Sequence, residues 1–188
     1  KKFEEAFSNY IGCKHAIALN SCTAGLHLAL EAQGFPEGDE VITTSMTFPA
    51  TANVILLQKL KPVLVDIEPG TLLIDPNKIE EKISLRTRAI IPVHYSGHPC
   101  DMDAINAIAK KNNLLVIEDG AHALETKYKN KKVGNMGNTT SFSFYANKNI
   151  TTGEGGMVVT YDDELAEKLF VMRLQGISRD AWKRYGKT

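Results

Sequence analysis

The sequence has no excess of charge of either sign and no long apolar run. Its 188 residues include 22 Lys and Arg against 22 Asp and Glu, so no bulk electrostatic attraction to nucleic acid or to an anionic membrane is expected. No apolar run approaches the roughly 18 residues of a membrane-spanning helix, and the start of the chain does not read as a signal peptide. With 43% hydrophobic and 23% charged residues, the composition predicts one globular domain with a sizeable core.

Cysteine is scarce, and two common nucleotide-binding motifs are missing. Cys13, Cys22 and Cys100 are an odd, scattered set without a CxxC pair, which favours a reducing, cytoplasmic setting. The chain contains no GxGxxG run and no Walker lysine motif, so a dinucleotide-binding or NTP-binding loop is a poor fit. The chain begins at Lys1, inside a predicted helix, and ends on KRYGKT without a closing element. We therefore expect it to be a fragment of a longer protein.

Short apolar runs alternate with longer amphipathic ones. Seven strands are predicted, over 14–20, 39–45, 61–67, 87–95, 113–119, 139–145 and 155–161. Helices are predicted at the start of the chain and over 22–34, 49–60, 75–83, 101–113 and 162–176. Several strands are continuously apolar, which is typical of strands buried on both faces. The pattern predicts an α/β fold, with a mostly parallel seven-stranded sheet and helices on both faces. Ligands of such sheets bind beyond the carboxyl ends of the strands.

Small and hydroxylated residues follow the first predicted strand. The segment NSCTAG (20–25) opens a helix, where free backbone N–H groups and the helix dipole could bind a phosphate. The same residues could equally form a simple Ser/Thr helix cap.

Three more candidates follow other strands. Phe48, in SMTFPA after the second strand, could lie at the same edge or in the core. Asp119 ends the apolar run LLVIED, and a carboxylate at the mouth of a buried strand needs a cation or hydrogen-bond donors. It could be a ligand-binding group or a cap. His122 follows three residues later and could share a face with it.

The segment VHYSGHPCDMD (93–103) contains possible metal ligands, namely His94, His98, Cys100, Asp101 and Asp103. Their spacing fits no zinc pattern, and the two aspartates suit a helix start. No metal site is predicted.

Lys148 is the only charged or histidine residue from Val133 to Gly153. Alone, it could be a surface lysine beside a glycine turn. Combined with a phosphate site, an aromatic ring and a buried carboxylate at strand ends, it matches what pyridoxal 5′-phosphate (PLP) needs from a protein. A lysine without neighbouring anions has its ammonium form disfavoured, which favours a role as amine and base.

Four segments resemble the DegT/DnrJ type of sugar aminotransferases, a family of PLP fold type I, the aspartate-aminotransferase fold. SFSFYANKNITTGEGG (141–156) is similar to the family's lysine motif SFSFHATKNLTTGEGG. VIEDGAHALET (116–126) is similar to its acidic motif, VHYSGHPCDMDAI (93–105) to its HLYGHPADMDAI-like segment, and ALNSCTAGLHLAL (18–30) to its SGTAAL-like phosphate loop. The resemblance extends over nearly the whole chain.

The resemblance implies a role for each matching residue. Lys148 would form the Schiff base with PLP, and Asp119 would pair with the pyridine nitrogen. His122 would lie against the cofactor ring, and Phe48 would stack on its other face.

Ser143 and Thr23 would bind the phosphate, with the backbone of Cys22 beside them. Two residues depart from the family pattern. Tyr145 replaces a common histidine, and Cys22 replaces a common glycine or serine. Tyr145 leaves the substrate preference open.

The implied reaction transfers an amino group, usually from glutamate, to a keto sugar on a nucleoside diphosphate. The family also implies a homodimer with a shared active site and a small C-terminal domain, missing from this chain, into which the segment 173–188 would lead. Alternatives are a related sugar dehydratase, an aromatic amino acid synthase, or a PLP-fold protein that regulates without turnover. The sugar dehydratases replace the lysine with histidine, so Lys148 argues against that reaction.

Overall fold

The structure is a computed structural model and describes residues 1–177. The helices are α1 (Lys2–Ile11), α2 (Cys22–Glu31), α3 (Pro49–Leu57), α4 (Pro76–Ile79), α5 (Met102–Lys111) and α6 (Asp163–Met172), with 3₁₀ turns at Glu80–Lys82 and Tyr95–Gly97. The strands are β1 (His15–Leu19), β2 (Glu40–Thr44), β3 (Lys61–Val65), β4 (Thr87–Ile91), β5 (Leu115–Asp119), β6 (Lys127–Tyr128), β7 (Lys131–Lys132), β8 (Thr139–Ser143) and β9 (Gly156–Thr160).

Seven strands form one sheet in the order β1-β9-β8-β5-β4-β2-β3. Strands β3, β2, β4, β5 and β8 pair in parallel, and β9 pairs antiparallel with both β8 and β1. Within residues 1–177, strand β9 is therefore the only strand of this sheet that runs in the opposite direction. The predicted mostly parallel, seven-stranded sheet is confirmed. The carboxyl ends of six strands lie at one edge, and the amino end of β9 joins them there.

Helices cover both faces of the sheet, as predicted. Adjacent strand residues point to opposite faces. Val41 packs with Leu26 of α2 and Val54 of α3, whereas Ile42 packs with Ile105 of α5. All five of these side chains are at most 1% exposed. The sheet is thus buried between two helical layers, which explains the apolar runs within its strands.

The element bounds differ from the predicted ones mainly at their ends. Strand β4 ends at Ile91, short of 95, because Pro92 has no N–H for the ladder. The helix predicted over 22–34 ends at Glu31, and that over 162–176 ends at Met172. The predicted helix 75–83 divides into α4 and a 3₁₀ turn. Of the segment expected to lead into another domain, residues 178–188 lie outside the described part.

Cys13, Cys22 and Cys100 are free thiols. Among residues 1–177, no helix has the length and apolar character needed to cross a membrane.

Candidate functional site

A cavity of about 510 Å³ opens at the carboxyl edge of the sheet. Its walls come from the starts of α2 and α3, the segments after β4 and β5, and the loop between β8 and β9. All the predicted site residues lie along it, namely Cys22, Thr23, Phe48, Asp119, His122, Ser143 and Lys148. The structure therefore brings together residues that are separated by up to 126 positions in the sequence.

The amino end of α2 forms one wall. The Ser21 side chain accepts a hydrogen bond from Ala24 N–H at 3.1 Å, so the cap interpretation is correct for this residue. The N–H groups of Cys22 and Thr23 belong to the first helical turn and have no acceptor within the helix. Both residues line the cavity. Together with the helix dipole, they provide a binding site for an anionic group.

Close packing fixes this helix end against β8 and β9. A Cβ added at Gly156 would lie 2.3 Å from the Ser21 carbonyl carbon and 2.5 Å from the Cys22 nitrogen. A Cβ added at Gly25 would lie 2.2 Å from Ser141 Oγ. Ser141 Oγ donates to the Cys22 carbonyl at 3.0 Å. Glycine is therefore required at both positions for the helix end to reach the cavity edge.

Asp119 is buried at the end of β5, with 5% of its surface exposed. Its Oδ2 accepts from Thr51 Oγ at 2.7 Å, and its Oδ1 accepts from Ala121 N–H at 3.1 Å. Thr51 Oγ also lies 2.7 Å from Thr47 Oγ. The two threonines were missed by the sequence analysis, because a threonine in an apolar helix gives no signal until the packing of α3 is known.

Lys148 lies in the loop between β8 and β9. Its backbone N–H donates to the Tyr145 carbonyl at 3.0 Å. Thr151 Oγ donates to the Phe144 carbonyl at 3.1 Å, and Thr152 Oγ to the Glu154 carbonyl at 2.7 Å, which shapes the rest of the loop. Within residues 1–177, Lys148 Nζ has no hydrogen bond and no ion pair. Its side chain lines the cavity.

His122 has a pKa below its ordinary value. Partial burial is the main cause, and the nearby positive charge of Lys148 adds to it, whereas Asp119 acts in the opposite direction. Backbone N–H of Ser96 donates to His122 Nδ1 at 3.3 Å, so the proton of the neutral ring lies on Nε2. The ring meets Tyr95 edge to face, with 6.3 Å between centroids. The lowered pKa favours the neutral form of His122, and these two contacts orient its ring.

Two further residues complete the walls. Phe48 is the residue before α3 and is 73% exposed, so the alternative that it belongs to the core is wrong. Ser143, at the end of β8, is 8% exposed, and its Oγ accepts from Tyr145 N–H at 3.3 Å. Tyr145 itself is 47% exposed and also lines the cavity.

In the segment 93–103, the side chains of His94 and Asp101 make hydrogen bonds within the fold. His94 is fully buried and lies 2.8 Å from Glu118 Oε2 through Nε2, while its Nδ1 accepts from Cys100 N–H at 3.1 Å. Asp101 caps α5 by accepting from Ala104 N–H at 3.2 Å. In the described part of the chain, no three possible ligands are grouped to hold a metal ion. That these residues bind no metal stays a prediction, which metal analysis of the purified protein would test.

The donor set defines the ligand that fits. A ligand that fits this cavity carries an anionic group to bind the start of α2, a protonated ring nitrogen to bind Asp119, and a carbonyl group to react with Lys148. PLP has all three, and an exposed aromatic side chain is available to stack on its ring. The residues present therefore fit this cofactor.

Comparison with known proteins agrees with this geometry. The model of the DegT/DnrJ/EryC1/StrS aminotransferase family matches residues 1–188. This chain belongs to that family. The solved structure of DesV from S. venezuelae in complex with a ketimine intermediate has a TM-score of 0.91 and 40% identity to this member. The match covers 94% of this chain and 48% of DesV.

Curated relatives in the family are more similar in sequence. The uncharacterized protein MJ1066 of Methanocaldococcus jannaschii is 64% identical over 184 residues. GDP-perosamine synthase of Caulobacter vibrioides is 51% identical over 184 residues. Each match covers 98% of this chain and 48% of the relative, so the chain spans about half the length of these proteins.

Proposed function

We propose that the protein containing this chain is a PLP-dependent aminotransferase, which moves an amino group from glutamate to a keto sugar carried on a nucleoside diphosphate. One observation carries the proposal. The amine of Lys148, without a partner among residues 1–177, lines the same cavity as the buried carboxylate of Asp119.

PLP, when bound, supplies an aldehyde that receives the amino group and a ring that withdraws electrons. Lys148 Nζ would bind that aldehyde covalently and, once displaced by the incoming amine, would carry the proton that moves between substrate and cofactor carbons. Asp119 would accept a hydrogen bond from the pyridine N–H and keep that nitrogen protonated. Its existing donors, Thr51 Oγ, Ala121 N–H and the Cys22 thiol, hold the carboxylate in place for this contact.

The remaining site residues would bind and orient. The N–H groups of Cys22 and Thr23 and the hydroxyls of Thr23 and Ser143 would hold the phosphate at the start of α2. Phe48 would stack on one face of the ring, and His122 would lie against the other.

The sugar substrate is supported by the family and by the names of its members. The comparison with GDP-perosamine synthase favours a nucleotide-linked keto sugar, and the lysine at 148 argues against the dehydratases that carry histidine there. Tyr145, exposed on the cavity wall, lies where it could contact the sugar.

We also propose a homodimer with a shared active site. Lys148 is the only Lys or Arg among the residues that line the cavity within 1–177, so the phosphate donors found here are hydroxyls and backbone N–H groups. A dianionic phosphate is bound most strongly by charge-assisted hydrogen bonds. We expect the partner subunit, or chain beyond residue 177, to supply them. The three free thiols agree with a reducing compartment, and we expect the cytoplasm.

The test uses the full-length protein with PLP, glutamate, a panel of nucleoside-diphosphate keto sugars and a carbocyclic ketone. We expect 2-oxoglutarate and an aminated nucleotide sugar in equal amounts, and neither with Lys148→Ala. Loss of water from the sugar without amino transfer would favour the dehydratase, and transfer only to a carbocyclic ketone would favour the aromatic amino acid synthase. Tight PLP binding without any turnover would favour a regulatory protein.

A further inference from the structure

Thr51 is a buried threonine whose hydroxyl contacts the proposed catalytic carboxylate. It lies in the first turn of α3 and is 0% exposed. Its Oγ is 2.7 Å from Asp119 Oδ2 and 2.7 Å from Thr47 Oγ. A hydroxyl without partners is costly to bury. The contact with Asp119 joins residues 68 positions apart and is therefore a tertiary interaction.

The direction of donation is defined for both hydroxyl hydrogen bonds. A threonine hydroxyl has one proton to donate, and an ionised carboxylate only accepts. With Asp119 ionised, Thr51 must donate to it, and Thr51 must then accept from Thr47. The hydrogen bonds therefore run from Thr47 on the cavity wall through Thr51 to Asp119. The hydroxyl chain ends on the oxygen that is not bonded to Ala121 N–H.

We propose that Thr51 is a positioning residue for Asp119, and that Thr47 supports it. This role rests on the proposed function, because Asp119 acts in catalysis only when PLP is bound. Thr51 holds Oδ2 while Ala121 N–H holds Oδ1, so both oxygens have a partner that would keep the carboxylate oriented toward the ring nitrogen of bound PLP. Phe48 immediately precedes α3. One helical turn thus connects the aromatic side chain on the cavity wall to the carboxylate beneath it.

The first experiment needs no cofactor. Unfolding of the full-length apoprotein is compared for wild type, Thr51→Val, Asp119→Ala and the double variant. A hydrogen bond to a charged group contributes enough that Thr51→Val should raise the unfolding equilibrium constant about tenfold or more. In the Asp119→Ala background the same change should raise the unfolding equilibrium constant about threefold or less, because the acceptor is gone. Equal effects in both backgrounds would overturn the proposal.

The matched control is Thr43→Val. Thr43 is also 0% exposed, but its Oγ donates to the Ile91 carbonyl at 2.8 Å, away from the cavity lining. It measures the cost of removing a buried threonine hydroxyl in general. Thr51→Ser keeps the hydroxyl and should retain most of the stability that Thr51→Val loses.

The second experiment uses the holoenzyme and also covers the case that Asp119→Ala does not fold. The rate of the half-reaction with glutamate should fall about tenfold to 100-fold in Thr51→Val, with KM changed by about threefold or less. The pH profile of the cofactor's visible absorption should also shift. Thr51→Ser and Thr43→Val should keep the wild-type rate of the half-reaction and the wild-type pH profile of the absorption. If Thr51→Val matches Thr43→Val in rate and spectrum, the proposal is wrong. If wild type binds no PLP, the proposed function fails, while the apoprotein cycle still decides whether Thr51 and Asp119 are coupled.

Discussion

The backbone N–H of Ser96 donates to Nδ1 of His122 at 3.3 Å and joins two of the segments that form the cavity wall. Ser96 lies in the 3₁₀ turn after β4, with φ of 52°. His94, at the start of this segment, is anchored by its contact with buried Glu118. The orientation of the imidazole is therefore set by a turn that is itself fixed by the contact between His94 and Glu118 in the core.

His122→Gln should make the full-length apoprotein less sensitive to acid. The folded-state pKa of His122 is lowered by partial burial and by Lys148, so the unfolded chain binds the proton more strongly. Stability from the neutral ring is present above the unfolded pKa of 6.5 and falls as the pH drops from there through the lowered folded value. Glutamine does not titrate and removes this part of the decline.

Chemical unfolding between pH 8 and pH 5 measures this effect. Wild type should lose stability more steeply below pH 6.5 than His122→Gln, with a difference well under the single-proton limit of about 1.4 kcal/mol per pH unit because the ring is partly solvated. Superimposable pH profiles for the two proteins would show that His122 is not desolvated in the fold.

Asp119→Asn should keep PLP binding and lose most turnover. A neutral amide cannot hold the pyridine nitrogen in its protonated form, so the ring withdraws electrons less well. We expect a loss on the order of 10³-fold in kcat, which corresponds to about 4 kcal/mol of barrier. Steady-state kinetics with glutamate and equilibrium binding of PLP separate the two effects. Activity close to wild type would mean that Asp119 only caps the end of its strand.

Gly156→Ala should weaken cofactor binding by moving the start of α2. The added Cβ would lie 2.3 Å from the Ser21 carbonyl carbon and 2.4 Å from its oxygen, which backbone atoms cannot tolerate. The N–H groups of Cys22 and Thr23 would then shift from the proposed phosphate site. We expect PLP affinity to fall at least about tenfold, together with a loss of stability of about 1–3 kcal/mol from overpacking.

Gly70→Ala is the control for this change, because no atom lies within 4 Å of its added Cβ and its φ is not in the left-handed region. It should bind PLP as wild type does. Were Gly156→Ala to bind PLP equally well, the close approach of β9 to α2 would not be what places the phosphate site.

Much of the sheet could be predicted because its signal is local. Strand β2 contains the apolar pair Val41–Ile42 and β4 ends in the apolar run Ala89–Ile91, and burial between two helical layers favours such apolar runs. The hairpin β6–β7 was missed, since Lys127–Lys132 contains a single aromatic residue, Tyr128, among lysines and an asparagine and has no apolar alternation. Its turn residues Lys129 and Asn130 adopt positive φ, which is typical of a two-residue hairpin, but only the asparagine favours that conformation.

The candidate site, like the sheet, could be predicted only in part. Lys148 could be found from the absence of other charges around it, and Asp119 from its place at the end of an apolar run. The contacts that orient them could not be predicted, because they join distant elements. Thr51 reaches Asp119 across 68 positions, and no local pattern in α3 distinguishes its hydroxyl from an ordinary helical threonine.

Reductive labelling tests most directly whether Lys148 is the residue that binds PLP covalently. Full-length protein is incubated with PLP, reduced with borohydride, digested, and mapped by mass spectrometry. We predict one phosphopyridoxyl group on the peptide that contains Lys148, with visible absorption before reduction and no labelling of Lys148→Ala. Specific labelling of another lysine, or no visible absorption with intact folded protein, would contradict the account.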